Sequence, residues 1–293
     1  MATSPGVLST KPVAWITGAH GLIGTQLLRL APDLAPHYRV RGLTRADFDL
    51  LDFAAIEREF LRDQPQLVIH CAGVTIVADA HQDPARARRS NVELPAFLAG
   101  LAADRAFIHF STDLVFDGRQ GNYLETDAVN PLTVYGETKA ESERRVLANP
   151  RHTVVRTSIN AGVSRRGDRT FNEQFRRALN AAGVGMKLFV DEFRCPIAAA
   201  ETARAVWELA NARAAGIWHV AGAKRLSRYE IARLLVPRWP EVTAEIQAGS
   251  AKDFPGPPRA LDTSMNIGKV QAVLSRPLPG FDEWLAEHPQ ELV

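Results

Sequence analysis

The sequence predicts a doubly wound α/β protein, in which helices cover both faces of a parallel sheet. Short apolar runs alternate with longer helix-like segments up to about residue 160, and this alternation is typical of βαβ units. A glycine-rich turn follows the first apolar run, and a Tyr-x-x-x-Lys pair opens a later helical segment. Both patterns come after predicted strands, and parallel sheets bind their ligands at the carboxyl ends of the strands.

The predicted elements follow from apolar runs and helical periodicity. Buried strands are expected at 13–17, 38–43, 67–71, 106–111 and 153–157. Helices are expected at 21–30, 53–62, 83–103 and 134–148. Pro95 should bend or divide the third of these helices. Beyond residue 160 we expect helices at 170–182 and 198–212, a capping box at Ser227–Glu230 and a proline-rich loop at 253–258.

The composition is that of a globular protein and excludes several functions. Of the 293 residues, 46% are hydrophobic and 23% are charged. The net charge of +2 gives no electrostatic basis for binding nucleic acid or a membrane. We find no signal peptide and no run near the ~20 apolar residues of a membrane helix. Cys71 and Cys195 are too few for a disulfide framework or a structural zinc site, so we expect no metal and a cytoplasmic location.

The glycine-rich turn is the first candidate site. It lies between the first predicted strand and the first helix, with the spacing Gly-x-x-Gly-x-x-Gly. Glycines let the backbone approach a pyrophosphate, whose charge is attracted to the helix N-terminus. A plain helix-capping turn is the alternative interpretation. The candidate cofactor-binding residues of this turn are Gly18, His20, Gly21, Leu22, Ile23 and Gly24.

The end of the second predicted strand bears on the choice of cofactor. An acidic residue usually stands there when the cofactor is NAD, because a carboxylate binds the ribose hydroxyls. The run from Arg41 to Arg45 contains no acid, and Arg45 could meet a 2′-phosphate. The sequence therefore favours NADPH and leaves NADH possible. The alternative is that Arg45 is a surface arginine without a ligand.

Tyr135 and Lys139 are the second candidate site. They are four residues apart in a predicted helix and so share a face. A neighbouring ammonium group should lower the pKa of the phenol, because a cation favours the anionic form. A phenol tuned in this way can exchange a proton with a carbonyl or an alcohol. Thr112, at the end of a predicted strand, could hydrogen-bond the reacting oxygen, although such residues are also common in turns. Together these residues predict a nicotinamide-dependent reductase or dehydrogenase.

Three segments resemble extended short-chain dehydrogenase/reductases, and within that group the dTDP-4-dehydrorhamnose reductase family. They are Thr17–Gly24, Ser111–Gly118 and Pro131–Lys139. The second is close to the family's Ser-Thr-Asp-Tyr-Val-Phe-Asp-Gly signature. The resemblance spans nearly the whole chain. We therefore expect a flexible tail at 1–11, a Rossmann-type core with the catalytic residues at 12–160, and a mainly substrate-binding region at 161–293 with parts returning to the core.

The resemblance also implies roles for individual residues. Thr112, Tyr135 and Lys139 would be the catalytic set, and Asn91 would steady a water chain to the lysine. The lysine would also bind the nicotinamide ribose. The residues expected to line the cofactor, besides the glycine turn and Arg45, are Asp49 and Leu50 beside the adenine, then Cys71, Ala72, Gly73, Tyr135 and Lys139. For Cys71, a small buried residue without a chemical role is the favoured interpretation. The candidate substrate residues are Asp113, Asn160 and Arg194.

Several positions depart from the family pattern. Leu114 stands where the signature has tyrosine, and where related 4,6-dehydratases carry a glutamate base, which argues against dehydration. Ile159 and Asn160 stand where rhamnose-forming reductases tend to place a tryptophan, which leaves the sugar open. Phe193–Pro196 replaces a smaller stretch that contains glycine. Arg194 in that stretch could hold a substrate diphosphate or be a surface loop arginine.

The sequence thus predicts NADPH-dependent reduction of a keto group on a nucleotide-activated deoxysugar. Such a chain would have a nucleotide sugar as its substrate and could form a homodimer. One alternative is another carbonyl substrate, or an epimerase of the same fold. The other is a dinucleotide-binding regulatory subunit that resembles the methionine adenosyltransferase beta subunit.

Overall fold

The computed structural model describes residues 11–165, 167–168, 170–182, 185–253 and 259–292. The predicted tail, apart from Lys11, and the predicted proline-rich loop, apart from Asp253, lie outside the described residues. The strands are β1 (Val13–Thr17), β2 (Arg39–Leu43), β3 (Leu67–His70), β4 (Ala106–Thr112), β5 (Thr153–Thr157), β6 (Asn160–Ala161), β7 (Met186–Phe189), β8 (Phe193–Arg194), β9 (Ile197–Ala198), β10 (Gly216–Val220), β11 (Leu226–Ser227) and β12 (Ile246–Gly249).

The helices alternate with these strands. They are α1 (Leu22–Leu34), α2 (Phe53–Asp63), α3 (Val77–Gln82), α4 (Pro84–Arg88), α5 (Leu94–Leu101), α6 (Val134–Val146), α7 (Phe171–Ala182), α8 (Ala199–Asn211), α9 (Arg228–Leu235), α10 (Gly268–Gln271) and α11 (Phe281–Glu287). A π-helical turn covers Arg89–Glu93, and short 3-10 turns cover 113–115, 236–238 and 251–253. None of the described helices is long and apolar enough to cross a membrane.

A six-stranded parallel sheet is the centre of the fold, in the order β2-β1-β3-β4-β5-β10. The chain moves outward from β1 to β2, and then returns past β1 to β3. Loops on the two sides of such a reversal diverge and leave a crevice at the carboxyl ends of the strands, which is where ligands bind in this kind of sheet. The glycine-rich turn after β1 and the loop after β3 both lie at this position. The predicted fold class is therefore confirmed.

Both faces of the sheet are buried. Ile16, Ile69 and Val155 belong to a core cluster shared with α1 and α8. Trp15, Phe107 and Val154 belong to a second cluster on the face that α2, α5 and α6 cover. β1, β3, β4 and β5 are covered on both sides, and the apolar runs that they contain predicted them in the sequence.

The segment predicted as one long helix at 83–103 differs from the prediction. Asp83 ends α3 and caps α4, because its carboxylate accepts from the backbone N–H of Arg86 at 2.9 Å. The irregularity lies in the π-helical turn at Arg89–Glu93, before Pro95. Pro95 itself occupies the first turn of α5, where the missing N–H has no acceptor to lose. The expected division of the segment at the proline is therefore confirmed, and the second division at Asp83 was not predicted.

The part of the chain after residue 160 adds three two-stranded pairs, β6-β9, β8-β11 and β7-β12. The predicted capping box is present, with Ser227 and Glu230 bonding reciprocally to each other's backbone N–H groups at the start of α9. Two elements from this part join the central core. β10 pairs with β5 in parallel, and α8 is tied to α1 by a 2.9 Å hydrogen bond from the Trp207 indole to the carbonyl of Leu27.

Candidate active site

The glycine-rich turn is built for close approach of backbone to backbone. Gly18 has φ +65°, and a Cβ there would lie 2.9 Å from the backbone nitrogen of Ala72. A Cβ on Gly24 would collide with the carbonyl oxygen of Gly18. Gly21 is the N-cap of α1, and among the described residues no side chain caps this 13-residue helix. Its free N–H groups are therefore available to an anion such as a pyrophosphate.

The other predicted cofactor residues surround this turn. Ala72 donates its N–H to Thr17 Oγ1 at 3.3 Å, which holds the loop after β3 against β1. Leu22 contacts Gly162, His20 Nε2 lies 2.9 Å from an Arg165 nitrogen, and Ile23 packs on the core. The remaining positions lie on the loops after β2 and β3. Arg45, Asp49 and Gly73 are exposed, and Leu50 and Cys71 are half-buried. Burial raises the pKa of the Cys71 thiol, so this group stays protonated.

Thr112 and Tyr135 meet at the carboxyl end of β4. Thr133 caps α6 by accepting from the Gly136 N–H at 3.1 Å, which places Tyr135 in the first turn of the helix. The Thr112 side chain interacts with the phenol and lowers its pKa. Both side chains are at least nine-tenths buried. The structure therefore brings together the two side chains that the sequence predicted, and their roles in proton transfer stay predictions.

The pKa of Tyr135 is not controlled as the sequence predicted. Burial raises this pKa to about 12, the Thr112 hydrogen bond lowers it, and the Asp113 carboxylate raises it. Lys139 is not among the groups that shift it in this structure, so the expected lowering by the ammonium group is wrong here. A phenol with this pKa is protonated at neutral pH. It is therefore suited to give a proton to an oxygen that gains negative charge.

Lys139 lies one turn further along α6 and is 7% exposed. Burial lowers its pKa to about 8, while the carboxylate of Glu143 opposes that change. Its Nζ atom is 3.5 Å from His109 Nε2. His109 was not singled out from the sequence. The available signal was a histidine inside an otherwise apolar strand.

Asn91 is close to the catalytic helix but is fully engaged by protein groups. Its side-chain oxygen accepts from the Val74 N–H at 2.9 Å, and its amide donates to the Val74 carbonyl at 3.0 Å and to Thr138 Oγ1 at 3.1 Å. A Cβ on Gly73 would lie 2.7 Å from the same oxygen. Asn91 therefore clamps the loop after β3 to α6, and its expected contact with a water chain stays a prediction.

The three candidate substrate residues are also held by neighbouring groups. Asp113 accepts from Ser158 at 2.7 Å, Thr263 at 3.0 Å and Thr112 at 3.2 Å, which joins β4 to later parts of the chain. Asn160 donates to Thr157 Oγ1 at 2.9 Å, and its oxygen accepts from Thr202 at 2.7 Å. These contacts fix both side chains, and their contact with substrate stays a prediction.

Arg194 is 4% exposed and is not a surface arginine. Its Nη1 donates to the carbonyl oxygens of Phe193 at 2.7 Å and Ala260 at 3.0 Å, and its Nη2 lies 3.2 Å from Glu192. Its Nε is 3.8 Å from Asp113. The guanidinium is thus occupied by internal partners. The diphosphate contact predicted for it stays a prediction.

An open cleft of about 710 Å³ lies beside Arg194. Its arginines, none of which was a candidate from the sequence, are Arg119, Arg225 and Arg259. Arg225 lies over the Phe193 ring with its guanidinium carbon 3.2 Å from the centroid, and pairs with Asp262 at 2.7 Å. Arg259 pairs with the buried Glu192 at 2.6 Å. The arginines come from separate loops, so no local pattern in the sequence connects them.

The comparisons with known proteins fit this geometry. A dTDP-4-dehydrorhamnose reductase of Sinorhizobium fredii is 29% identical over 92% of this chain and 93% of its own. A crystal structure of dTDP-4-dehydrorhamnose reductase from Bacillus anthracis in complex with NADP superposes with a TM-score of 0.83, at 21% identity over 95% and 98% of the two chains. The methionine adenosyltransferase 2 subunit beta of Danio rerio is 35% identical over 49% of this chain and 46% of its own.

The fold and the site define the class of protein. It is an extended short-chain dehydrogenase/reductase, which is an oxidoreductase, because it combines the doubly wound sheet, the glycine turn at the reversal point of that sheet, and the set of Thr112, Tyr135 and Lys139. The family described as RmlD substrate binding domain matches residues 14–293. The chain belongs to this family, and the family resemblance found in the sequence is confirmed. No group of three His, Cys, Asp or Glu side chains that could hold a metal ion occurs in the described part of the chain.

Proposed function

We propose that this protein is an NADPH-dependent reductase that acts on a keto group of a nucleotide-activated deoxysugar. The observation that carries the proposal is the buried pair of Thr112 and a protonated Tyr135 at the carboxyl end of β4. The Sinorhizobium fredii relative, matched over nearly its whole length, is named for the reduction of such a sugar. The free N-terminus of α1 and the tight turn at Gly18 fit a dinucleotide.

NADPH, when bound, supplies the hydride. The chain's own residues do the rest. Tyr135 gives its phenolic proton to the keto oxygen as that oxygen gains negative charge. Thr112 donates to the same oxygen and holds it beside the phenol. Lys139, as an ammonium group, would bind the nicotinamide ribose and help to orient the nicotinamide end of the cofactor.

The choice of NADPH rests on the loop after β2. Arg45 is exposed there, and the neighbouring Arg41 is already paired with Asp63 at 2.6 Å and Glu59 at 2.9 Å. Arg45 is therefore the arginine of this loop that a 2′-phosphate would meet. The NADP bound by the Bacillus anthracis protein is in keeping with this choice.

The nucleotide diphosphate is assigned to the cleft that contains Arg225 and Arg259. Leu132 lines this cleft three residues before Tyr135, so the cleft adjoins the catalytic helix. Planar guanidinium groups suit bidentate contact with phosphate. Both arginines are held by carboxylates, Arg225 by Asp262 and Arg259 by Glu192, and these ion pairs fix the direction of the guanidinium groups.

NADPH oxidation in the presence of dTDP-4-keto-6-deoxy sugars tests the proposal. Turnover should depend on the keto sugar and should be lost in Tyr135→Phe. Tyr229→Phe, which removes a half-buried phenol on α9, is the matched control and should keep its activity. Absence of turnover with dTDP- and UDP-linked keto sugars, in protein that binds NADPH, would refute the proposal.

A regulatory subunit is the second candidate, because half of the chain resembles the beta subunit of a methionine adenosyltransferase. Such a subunit would bind dinucleotide and a methionine adenosyltransferase, and would not need Tyr135. Failure of turnover together with binding to that enzyme would favour it.

We further propose a cytoplasmic homodimer. The free thiols of Cys71 and Cys195 support a reducing compartment, and light scattering of the purified protein tests the dimer.

A further inference from the structure

A buried ion pair joins the catalytic helix to the central sheet. Glu143 on α6 and Arg156 on β5 are each 3% exposed. Arg156 donates to both carboxylate oxygens of Glu143, from Nε at 3.0 Å and from Nη2 at 2.7 Å. The hydroxyl group of Ser111 on β4 donates to the first of these oxygens. All three contacts come from donors, which suits an ionised carboxylate. Such a pair needs an explanation, because apolar side chains of similar volume are often as stabilising as two buried charges.

The carboxylate of Glu143 lies on the same face of α6 as the catalytic lysine. Lys139 and Glu143 are four residues apart, so their side chains are neighbours on one side of the helix. Lys139 Nζ lies 3.5 Å from His109 Nε2 on β4. Glu143 is bonded to Ser111, which is two residues further along β4 and so points to the same side of the sheet. The negative charge is therefore about one helical turn from the ammonium group, where it opposes the loss of the lysine's proton on burial.

The groups next to Lys139 on β4, on β3 and just after β3 are neutral. The Ser142 hydroxyl donates to the Lys139 carbonyl at 2.8 Å, so its 2.8 Å contact with His109 Nε2 makes that nitrogen a donor. His109 therefore offers the ammonium group no lone pair at Nε2, and burial holds the pKa of its ring well below the usual value. Burial lowers the pKa of the His70 imidazole to about 3 and raises the pKa of the Cys71 thiol, so neither is charged at neutral pH.

The charges on the other elements that pack on α6 act elsewhere. Tyr135 shares the helix face but is protonated at neutral pH, because its pKa is about 12. Asp113, in the turn after β4, acts on Tyr135. The charged or titratable side chains of α3, α4 and the π-helical turn are exposed, namely those of Asp79, His81, Arg86, Arg88, Arg89 and Glu93. Within the described part of the chain, Glu143 is thus the carboxylate that acts on Lys139.

We propose that Glu143 is a positioning residue for Lys139. Arg156 and Ser111 fix its carboxylate on the buried face of α6, and from there it keeps the ammonium group charged in a site that would otherwise favour the neutral amine. Because Arg156 takes both oxygens, the carboxylate does not close on the lysine, whose ammonium group stays free for the cofactor. The inference rests on the proposed function only for the role of Lys139 in turnover.

Glu143→Gln tests the proposal, because it keeps the shape of the side chain and removes its charge. The pKa of Lys139, about 8 in the wild type, should fall by about 1–2 units, as expected for one charge roughly 6 Å away at an effective dielectric constant of about 20–40. Less of the lysine is then charged at pH 7, so kcat should fall about 2- to 10-fold there and recover at lower pH. The basic limb of the kcat profile should move by the same amount, and the KM for the keto sugar should stay unchanged.

A measurement without turnover separates this inference from the proposed function. The chain has six lysines, so ¹³C labelling at the lysine Cε gives a simple spectrum, in which Lys139→Met identifies the Lys139 signal. The titration midpoint of this signal should be about 8 in the wild type and about 1–2 units lower in Glu143→Gln. An unchanged midpoint would overturn the inference. If the midpoint falls and no keto sugar is reduced, the proposed function fails and the role of Glu143 stands.

Two further variants separate the effect of the charge from a general loss of structure. Glu143→Gln/Arg156→Met removes the whole pair and leaves no buried guanidinium without its carboxylate, so it should fold even if the single variant does not. Its Lys139 midpoint should also lie below the wild-type value, and an equal midpoint would contradict the proposal. Glu201→Gln is the matched control, since it removes another buried carboxylate, one that pairs with two arginines. It should lower stability and leave the midpoint in place, and a shift as large as that of Glu143→Gln would rule out a specific role for Glu143.

Discussion

Replacement of Glu192 by glutamine should strongly destabilise the protein at neutral pH. The carboxylate is fully buried beside the substrate cleft. It lies 2.6 Å from Arg259, 2.8 Å from Arg228 and 3.2 Å from Arg194. A glutamine keeps the shape but leaves three guanidinium groups without the charge that balances them. Loss of one partner from a buried ion pair typically costs about 3–5 kcal/mol.

The pKa of Glu192 gives a second measure of the effect. Burial alone would raise this pKa, but Arg228, Arg259 and Arg194 outweigh burial and lower it from 4.5 to about 2. A shift of this size corresponds to roughly 3 kcal/mol of folding stability at neutral pH. Because the pKa is depressed in the folded state, this contribution is complete above the unfolded pKa and is lost as the pH falls towards the folded pKa. At about pH 3, roughly 2 kcal/mol of it should be gone.

Urea unfolding followed by tryptophan fluorescence measures both effects. The free energy of unfolding of Glu192→Gln should lie roughly 3 kcal/mol below that of the wild type at pH 7, and the gap should narrow on acidification. Glu241→Gln, which breaks an exposed pair with Arg176, is the control and should change little. A loss below about 1 kcal/mol at pH 7, the range of surface pairs, would refute the reasoning. A difference in unfolding free energy between wild type and Glu192→Gln that does not depend on pH would also refute the reasoning.

Three further predictions concern the site itself. Tyr135→Phe should lower kcat by roughly 10²- to 10⁴-fold and leave the Kd for NADPH unchanged by fluorescence titration, because only the proton donor is lost; wild-type turnover would remove Tyr135 from its role. Arg45→Ala should weaken NADPH binding about tenfold and leave NADH binding unchanged, as expected for a charge-assisted contact with phosphate, and a variant that keeps its preference would contradict the assignment. Gly18→Ala should weaken binding of either dinucleotide, because a Cβ there would press on Ala72, whereas Gly167→Ala, at a similar φ of +69° but in open space, should bind normally.

The sequence was sufficient to predict five of the six strands of the central sheet, and β10 was not predicted. Strands β1, β3, β4 and β5 are buried on both faces and each contains a run of apolar residues, and their ends agreed with the prediction within a residue. The short pairs such as β7 and β12 were not predicted. A segment of four residues carries little periodicity, and its strand conformation depends on a partner about 60 residues away.

The same contrast applies to the candidate site. Gly18, Thr112 and Tyr135 belong to local patterns, because a tight turn, a strand end and a helix face each need particular residues at fixed spacing. The partners of Glu192 come from three separate segments, and the contact between His109 and Lys139 joins a strand to a helix 30 residues later. Spacing along one sequence does not reveal such contacts. For this reason Arg194 was a candidate from the sequence, and its contact with substrate stays a prediction, while its buried partner Glu192 was not predicted.

The position of β10 has a consequence for synthesis of the chain on the ribosome. The edge strand β10 (Gly216–Val220) pairs with β5 and completes the sheet on that side. The two strands are far apart in the sequence, because β5 already ends at Thr157. About 60 residues must therefore be translated while the edge of β5 is uncovered, which takes several seconds at typical elongation rates. An apolar, unpaired strand edge readily pairs with other chains. We expect chains truncated before Gly216 to aggregate or to require chaperones, and a full-length chain to become soluble only after β10 has left the ribosome.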